Sequence, residues 1–184
     1  MIFTQTPLAG AYVIDATPIA DMRGSFARTY CEKEFAGAGL VNHWVQCNLS
    51  HNIKAGTLRG MHYQRVPHQE VKLVRCPRGS VFDVAVDIRP ESPTFGNWFG
   101  VELSAQNRRS FYIPTGFAHG YQSLADDSDV FYQVSEFYHP ESEGGLRWDD
   151  PALNIAWPLP DRVSLSTKDS SWPLMKSGVL ENVS

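Results

Sequence analysis

A chain of 184 residues, 42% of them hydrophobic, can bury one sizeable core, and its length favours a single domain over 1–184. A net charge of −4 gives no general pull toward nucleic acid or an anionic membrane surface, while small anionic ligands stay open. Cys31, Cys47 and Cys76 lack the paired spacings of zinc sites or disulfide frameworks, "MIFTQTPLAG" has no signal-peptide pattern, and no apolar run approaches the ~18 residues of a membrane span, so a cytoplasmic protein with free thiols is expected.

The first clear element is "CEKEFAGAGL", which predicts a short helix over Glu32 to Ala38 closed by Gly39. "GTLRGMHYQ", Gly56 to Gln64, reads as a strand, yet Arg59, Gly60 and His62 suit a pleated surface poorly and suggest a strand built around a site. In "SVFDVAVDI" the residues Phe82, Val84, Val86 and Ile88 share one face, with Asp83 and Asp87 on the other, which predicts a half-buried strand. "NWFGVELSA", "RSFYIP" and "DVFYQVSEFY" repeat the period of two between stretches rich in turn formers. The C-terminal part, from about residue 140, is Pro-rich and less regular. Its Trp148, Trp157 and Trp172 argue for packing against the rest, with no domain boundary at Pro151. Many short strands and little helix make an all-β sandwich or closed barrel with short peripheral helices.

In "YIPTGFAHGYQSL", Pro114 and Gly116 shape a turn that delivers His119 onto a new strand. With Gly56, His62 and Gly79 upstream, this resembles the two half-motifs of the cupin jelly roll, the double-stranded β-helix. That resemblance implies a small barrel with His62 and His119 facing one cavity. Cupins commonly hold a metal through two histidines one residue apart in the first half-motif; here Gln64 occupies the second position, with Tyr63 between. Glu70 could add a carboxylate, but two histidines and one Glu are a thin donor set, and no metal is expected.

A wider likeness runs from "DMRGSF" through "QCNLSHN", "GTLRGMHYQ", "KLVRC", "IPTGFAHGYQ", "DVFYQVSEFY" and "GLRWDDP" to "LSTKD", covering about Asp21 to Asp169. In order and spacing these segments resemble the dTDP-4-dehydrorhamnose 3,5-epimerase family. The resemblance implies a cofactor-independent epimerase acting at C3, C5 or both of a nucleotide-diphosphate-linked 4-keto-6-deoxy sugar, in deoxysugar biosynthesis. The 4-keto group acidifies the neighbouring carbons, so the chemistry asks for a base, enolate stabilisation and an acid on the opposite face. Carried over by motif, His62 is the base, Asp169 its orienting partner, Lys72 the cation near the keto oxygen and Tyr132 the acid. Arg59 resembles the diphosphate ligand, and His119, Gln46, Asn48, Tyr138 and Glu143 match substrate-binding positions. Arg23 and Phe26 match residues that reach the neighbouring subunit's nucleotide in a homodimer formed by N-terminal strand exchange. A 3,4-ketoisomerase on the same scaffold, a metal-dependent cupin and a non-catalytic sugar-nucleotide binder are the alternatives. Two departures stand out: Arg28 where a Glu is expected near the nucleobase, and Gln133 where Lys commonly follows the tyrosine.

Strict alternation puts Arg59 and His62 on opposite faces, since they are three residues apart. For both to reach one cavity, Gly60 must sit in a bulge or irregular pairing.

Overall fold

In the computed structural model, which describes residues 1–175, period-two patterning becomes strand along most of the chain. The N-terminal part holds β1 (Ile2–Gln5), β2 (Tyr12–Asp15), β3 (Ile19–Asp21), β4 (Gly24–Phe26) and the helix α1 (Glu32–Gly37). The centre runs through β5 (Gln46–Asn52), β6 (Leu58–Gln64), β7 (Lys72–Arg78), β8 (Ser80–Asp87) and β9 (Trp98–Ser104). It continues through β10 (Ser110–Ile113), β11 (Phe117–Ser123) and β12 (Ser128–Val134), followed by β13 (Glu143–Gly145) and α2 (Thr167–Ser170).

Two antiparallel sheets carry the architecture, one ordered β1-β2-β10-β7-β12-β5 and the other β13-β6-β11-β8-β9. Between them lies a core in which Val13, Val74, Phe111 and Val130 of the first sheet meet Val81, Ala85, Leu103 and Tyr121 of the second. This is the jelly-roll arrangement expected from the half-motifs. The β3–β4 hairpin pairs only with itself and projects with Met22 fully exposed and Phe26 72% exposed.

Each sheet is also covered on its outer face. Phe35 of α1 is wholly buried and packs with Ile14, Val71, Leu73 and Tyr112 behind the six-stranded sheet. The helix ends close to where the sequence places it: Ala38 is the C-cap, and Gly39 takes the left-handed φ of +71° that follows a helix end. Behind the five-stranded sheet, Leu146, Leu153 and Trp157 from the C-terminal part cover Leu58, Met61, Val84 and Val86. Trp157 is buried, with its indole N–H donating to the Trp148 carbonyl at 2.8 Å, so these tryptophans pack inward as expected.

That cover overturns one expectation. The two faces of β8 are sorted as the alternation says, but the strand is buried on both, and Asp83 and Asp87 are each 0% exposed. The C-terminal segment closes one face and the opposing sheet the other, so each carboxylate needs an internal partner. Asp87 accepts from Arg89, Ser92 and Thr94, and Asp83 meets His119. A second difference concerns "DVFYQVSEFY", where the strand stops at Val134. The Ser135 hydroxyl accepts the Val71 N–H at 2.9 Å, and Glu136 to Tyr138 then leave the sheet toward its rim.

Candidate active site

Three steps along β6, from Arg59 to His62, match only two along β11, from Tyr121 to His119. The extra residue is the bulge the sequence requires at Gly60, and it returns Arg59 and His62 to the same face while Leu58 and Met61 point into the outer core. Only glycine fits there: its φ is +126°, and a Cβ would lie 2.6 Å from Gly120 Cα and 2.8 Å from the His119 carbonyl oxygen. Gly120 is the reciprocal half of this close approach, since a Cβ on it would stand 2.8 Å from the Arg59 carbonyl oxygen.

Between the sheets opens a cavity of about 410 Å³, within the ~300–1,000 Å³ usual for small-molecule sites. One wall carries Arg59, His62 and His119 from β6 and β11; the other carries Gln46, Asn48, Lys72 and Tyr132 from β5, β7 and β12. Tyr138 and Glu143 stand among the lining residues as well. His62 and Tyr132 therefore approach the space from opposite sheets.

Asp169 reaches His62 from α2, whose N-cap Ser166 accepts the Asp169 backbone N–H at 3.0 Å. Its Oδ1 lies 2.6 Å from His62 Nε2, and Oδ2 receives the Gly60 N–H at 3.4 Å. Burial pushes the Asp169 carboxyl up, but the hydrogen bond and charge of the His62 imidazole, helped by Gly60 and Trp172, hold it net below its ordinary value. An ionised carboxylate only accepts, so Nε2 carries the proton and Nδ1 keeps the lone pair. The Trp172 ring meets the imidazole edge-on with centroids 6.2 Å apart.

Lys72 is buried, and desolvation pushes its ammonium down to about 7. The Glu70 carboxylate in contact with its Nζ acts in the opposite direction. Burial raises the Tyr132 phenol, as does neighbouring Tyr121, while the Arg59 guanidinium lowers it; the net shift is upward, which keeps the phenol protonated. Arg59 is oriented by Nε donating to Asn52 Oδ1 at 3.0 Å and by Nη2 donating to the His51 carbonyl at 3.3 Å.

Several groups in the lining or bonded to it escaped the sequence reading. Tyr121 lines the cavity two residues after His119 on the same strand face, a period-two signal that was available; its hydroxyl donates to Ser50 Oγ at 2.9 Å. Asp83, 2.9 Å from His119 Nε2, lies on the second face of a strand that the alternation makes only half-buried, and only the β8–β11 pairing brings it to the histidine. Lys168 has no strand context at all, yet its ammonium sits 2.6 Å from both Glu143 carboxylate oxygens, and Tyr138 donates to the same carboxylate at 2.9 Å. Burial raises Glu143, but Lys168 and Tyr138 hold it below its ordinary value.

Arg23 and Phe26 stand apart from the cavity of their own chain, on the exposed hairpin, where Arg23 pairs with Asp21 at 2.6 Å. Arg28 is exposed and donates to Glu34 of α1 at 2.9 Å. Gln133 follows Tyr132 on the strand and lies outside the cavity lining. The donor set does not make a metal centre inside the barrel. Gln64 uses its amide N–H groups on the His68 and Phe137 carbonyls, each at 3.0 Å, and its oxygen on the His139 N–H at 2.6 Å. Glu70 faces an ammonium, and a cation so placed opposes a divalent ion.

The family model for dTDP-4-dehydrorhamnose 3,5-epimerase matches residues 5–177. The chain belongs to that family. A dTDP-4-dehydrorhamnose 3,5-epimerase from Methanothermobacter thermautotrophicus is 47% identical over 180 residues, covering 96% of each chain. Among solved structures, the family enzyme from Elizabethkingia anophelis superposes with a TM-score of 0.93 at 43% identity, over 97% of this chain and 98% of the other. A second, from Legionella pneumophila in complex with dTDP-4-keto-L-rhamnose, gives 0.89 at 43% identity over 94% and 92%. As a member of the family the chain is an isomerase of the sugar-nucleotide epimerase class, on the cupin scaffold. Among the described residues no helix is long and apolar enough to cross a membrane.

Proposed function

We propose that the chain works as one jelly-roll domain that holds a dTDP-linked 4-keto-6-deoxy sugar between its sheets and inverts C3 and C5 through an enolate. The observation that carries the assignment of roles is that His62, with Asp169 behind it, and Tyr132 enter one cavity from opposite sheets, with Lys72 beside them. A base and an acid on opposite faces of a ring are what inversion needs.

In this reading His62 Nδ1 takes the proton from the carbon next to the ketone, and Asp169 stabilises the imidazolium that forms. The Lys72 ammonium stabilises the charge that develops on the keto oxygen. Tyr132 returns a proton to the other face, which inverts the centre. Arg59 holds the diphosphate through its planar fork, and Gln46, Asn48, His119, Tyr138 and Glu143 line the remainder of the sugar nucleotide's path. The exposed Ile19, Met22 and Phe26 of the β3–β4 hairpin suit burial in a second copy of the chain, which would bring Arg23 and Phe26 to the partner's nucleotide. That arrangement is a homodimer with exchanged N-terminal strands.

The test of the reaction is incubation with dTDP-4-keto-6-deoxyglucose in deuterium oxide, followed by mass and NMR analysis of the product. Deuterium at both C3 and C5 with inverted configuration is the expected result. Label at C3 alone would restrict the enzyme to one centre, and a shifted carbonyl would make it a ketoisomerase.

A further inference from the structure

On the rim of the barrel, outside the cavity lining, His68, Glu136 and His139 present ligand atoms that all lie within 4.8 Å of one another. His68 belongs to the connection between β6 and β7; Glu136 and His139 lie on the segment after β12. The two imidazoles stack nearly parallel, with centroids 3.5 Å apart and planes 9° apart.

The environment of His139 gives it the form of a metal ligand. Its Nδ1 lies 3.0 Å from Glu141 Oε1, while its Nε2 faces Glu136 Oε1 at 4.0 Å. A carboxylate on one ring nitrogen fixes the tautomer and leaves the lone pair on the other, the usual support for a metal-bound histidine. Ligand atoms on a tetrahedral zinc ion stand about 3.3 Å apart, for bonds of about 2.0–2.1 Å, so closing the set requires the widest separation to contract by roughly 1.5 Å and the two stacked rings to tilt until their in-plane lone pairs converge. Each of the three side chains is partly solvent-accessible, which leaves an entry path and a fourth position for water.

We propose that His68, His139 and Glu136 form a rim site for one zinc-type divalent cation, with Glu141 orienting His139. Imidazole and carboxylate donors of this kind favour Zn²⁺ or Ni²⁺ over Mg²⁺ or Ca²⁺, which prefer all-oxygen shells. The ion ties the β6–β7 connection to the segment after β12. Those two stretches are already joined by Gln64, which bonds the backbone of His68, Phe137 and His139. Because Tyr138 sits between Glu136 and His139, the bound ion orders that part of the cavity mouth. It takes no part in proton transfer.

Isothermal titration of metal-free protein with Zn²⁺, and with Mg²⁺ as control, tests the site directly. The expected result is one equivalent of Zn²⁺ per chain, an accompanying rise in Tm, and no Mg²⁺ binding. His139→Ala and the isosteric Glu136→Gln should each weaken Zn²⁺ by at least roughly tenfold and abolish the rise in Tm. His62→Asn should leave both intact. X-ray absorption of the zinc-loaded protein should report two nitrogen ligands completed by oxygen. Zinc binding that is absent from wild type, unchanged in His139→Ala and Glu136→Gln, or lost in His62→Asn would overturn the proposal.

Discussion

Lys72 is the residue whose environment makes the sharpest claim about pH. Burial lowers its folded-state value to about 7 from 10.5, so the ammonium needed at the enolate is progressively lost as pH rises above that point. The predicted profile of kcat/KM therefore falls on the alkaline side from about pH 7, and Lys72→Met, far slower throughout, lacks that descending limb. Stability should move the other way. Between about 7 and 10.5 the unfolded chain binds more protons at this lysine than the folded one, so this group's contribution to stability rises with pH through that window. Denaturation midpoints of wild type and Lys72→Met across that range would expose the difference, and parallel curves would mean that Glu70 cancels the effect of burial.

Among the elements, β6 decides whether a site exists. Its bulge sets Arg59 and His62 on one wall, and Asp169 contributes to it by accepting the Gly60 N–H. Gly60→Ala must force a Cβ against backbone at 2.6 and 2.8 Å while holding a φ that disfavours a side chain, at a cost of about 2–3 kcal/mol or more. A clear drop in Tm with an activity loss larger than instability explains is the expected outcome, measured by calorimetry beside steady-state kinetics. This bulge was legible from residues alone, because the spacing of Arg59 and His62 contradicts period two and a glycine stands between them. The burial of Asp83 was not. Alternation sorts the faces of β8 but says nothing of what covers them: the opposing sheet closes over the face that carries Asp83, and residues beyond 140 close over the other. The strand end at Val134 was hidden for a similar reason: "SEFY" keeps an aromatic pattern, while the Ser135 hydroxyl takes a backbone hydrogen bond from Val71. His62, Lys72, Tyr132 and Asp169 were named through family likeness, and their separation of 107 residues between His62 and Asp169 is beyond any local pattern.

At the scale of the whole molecule, the unpartnered hairpin is the feature that a single chain leaves unexplained. Ile19, Met22 and Phe26 are 73%, 100% and 72% exposed, a cost in water that a second copy would remove. Light scattering should give the mass of a dimer. Phe26→Ala should raise KM several-fold while leaving kcat within about twofold, as expected for a group that binds ground and transition states alike. A monomeric mass with full activity would detach the hairpin from function.

The central claim is that removal and return of the proton are divided between His62 and Tyr132 across the cavity. It is tested most directly by following solvent deuterium exchange and configurational inversion together, in one assay, for His62→Asn and Tyr132→Phe. The account predicts that His62→Asn loses exchange and inversion alike, by about 10²–10⁴-fold, with its fold intact by circular dichroism. Tyr132→Phe should continue to exchange deuterium into the substrate while forming little inverted product. Wild-type exchange in His62→Asn, or undiminished inversion in Tyr132→Phe, would contradict it.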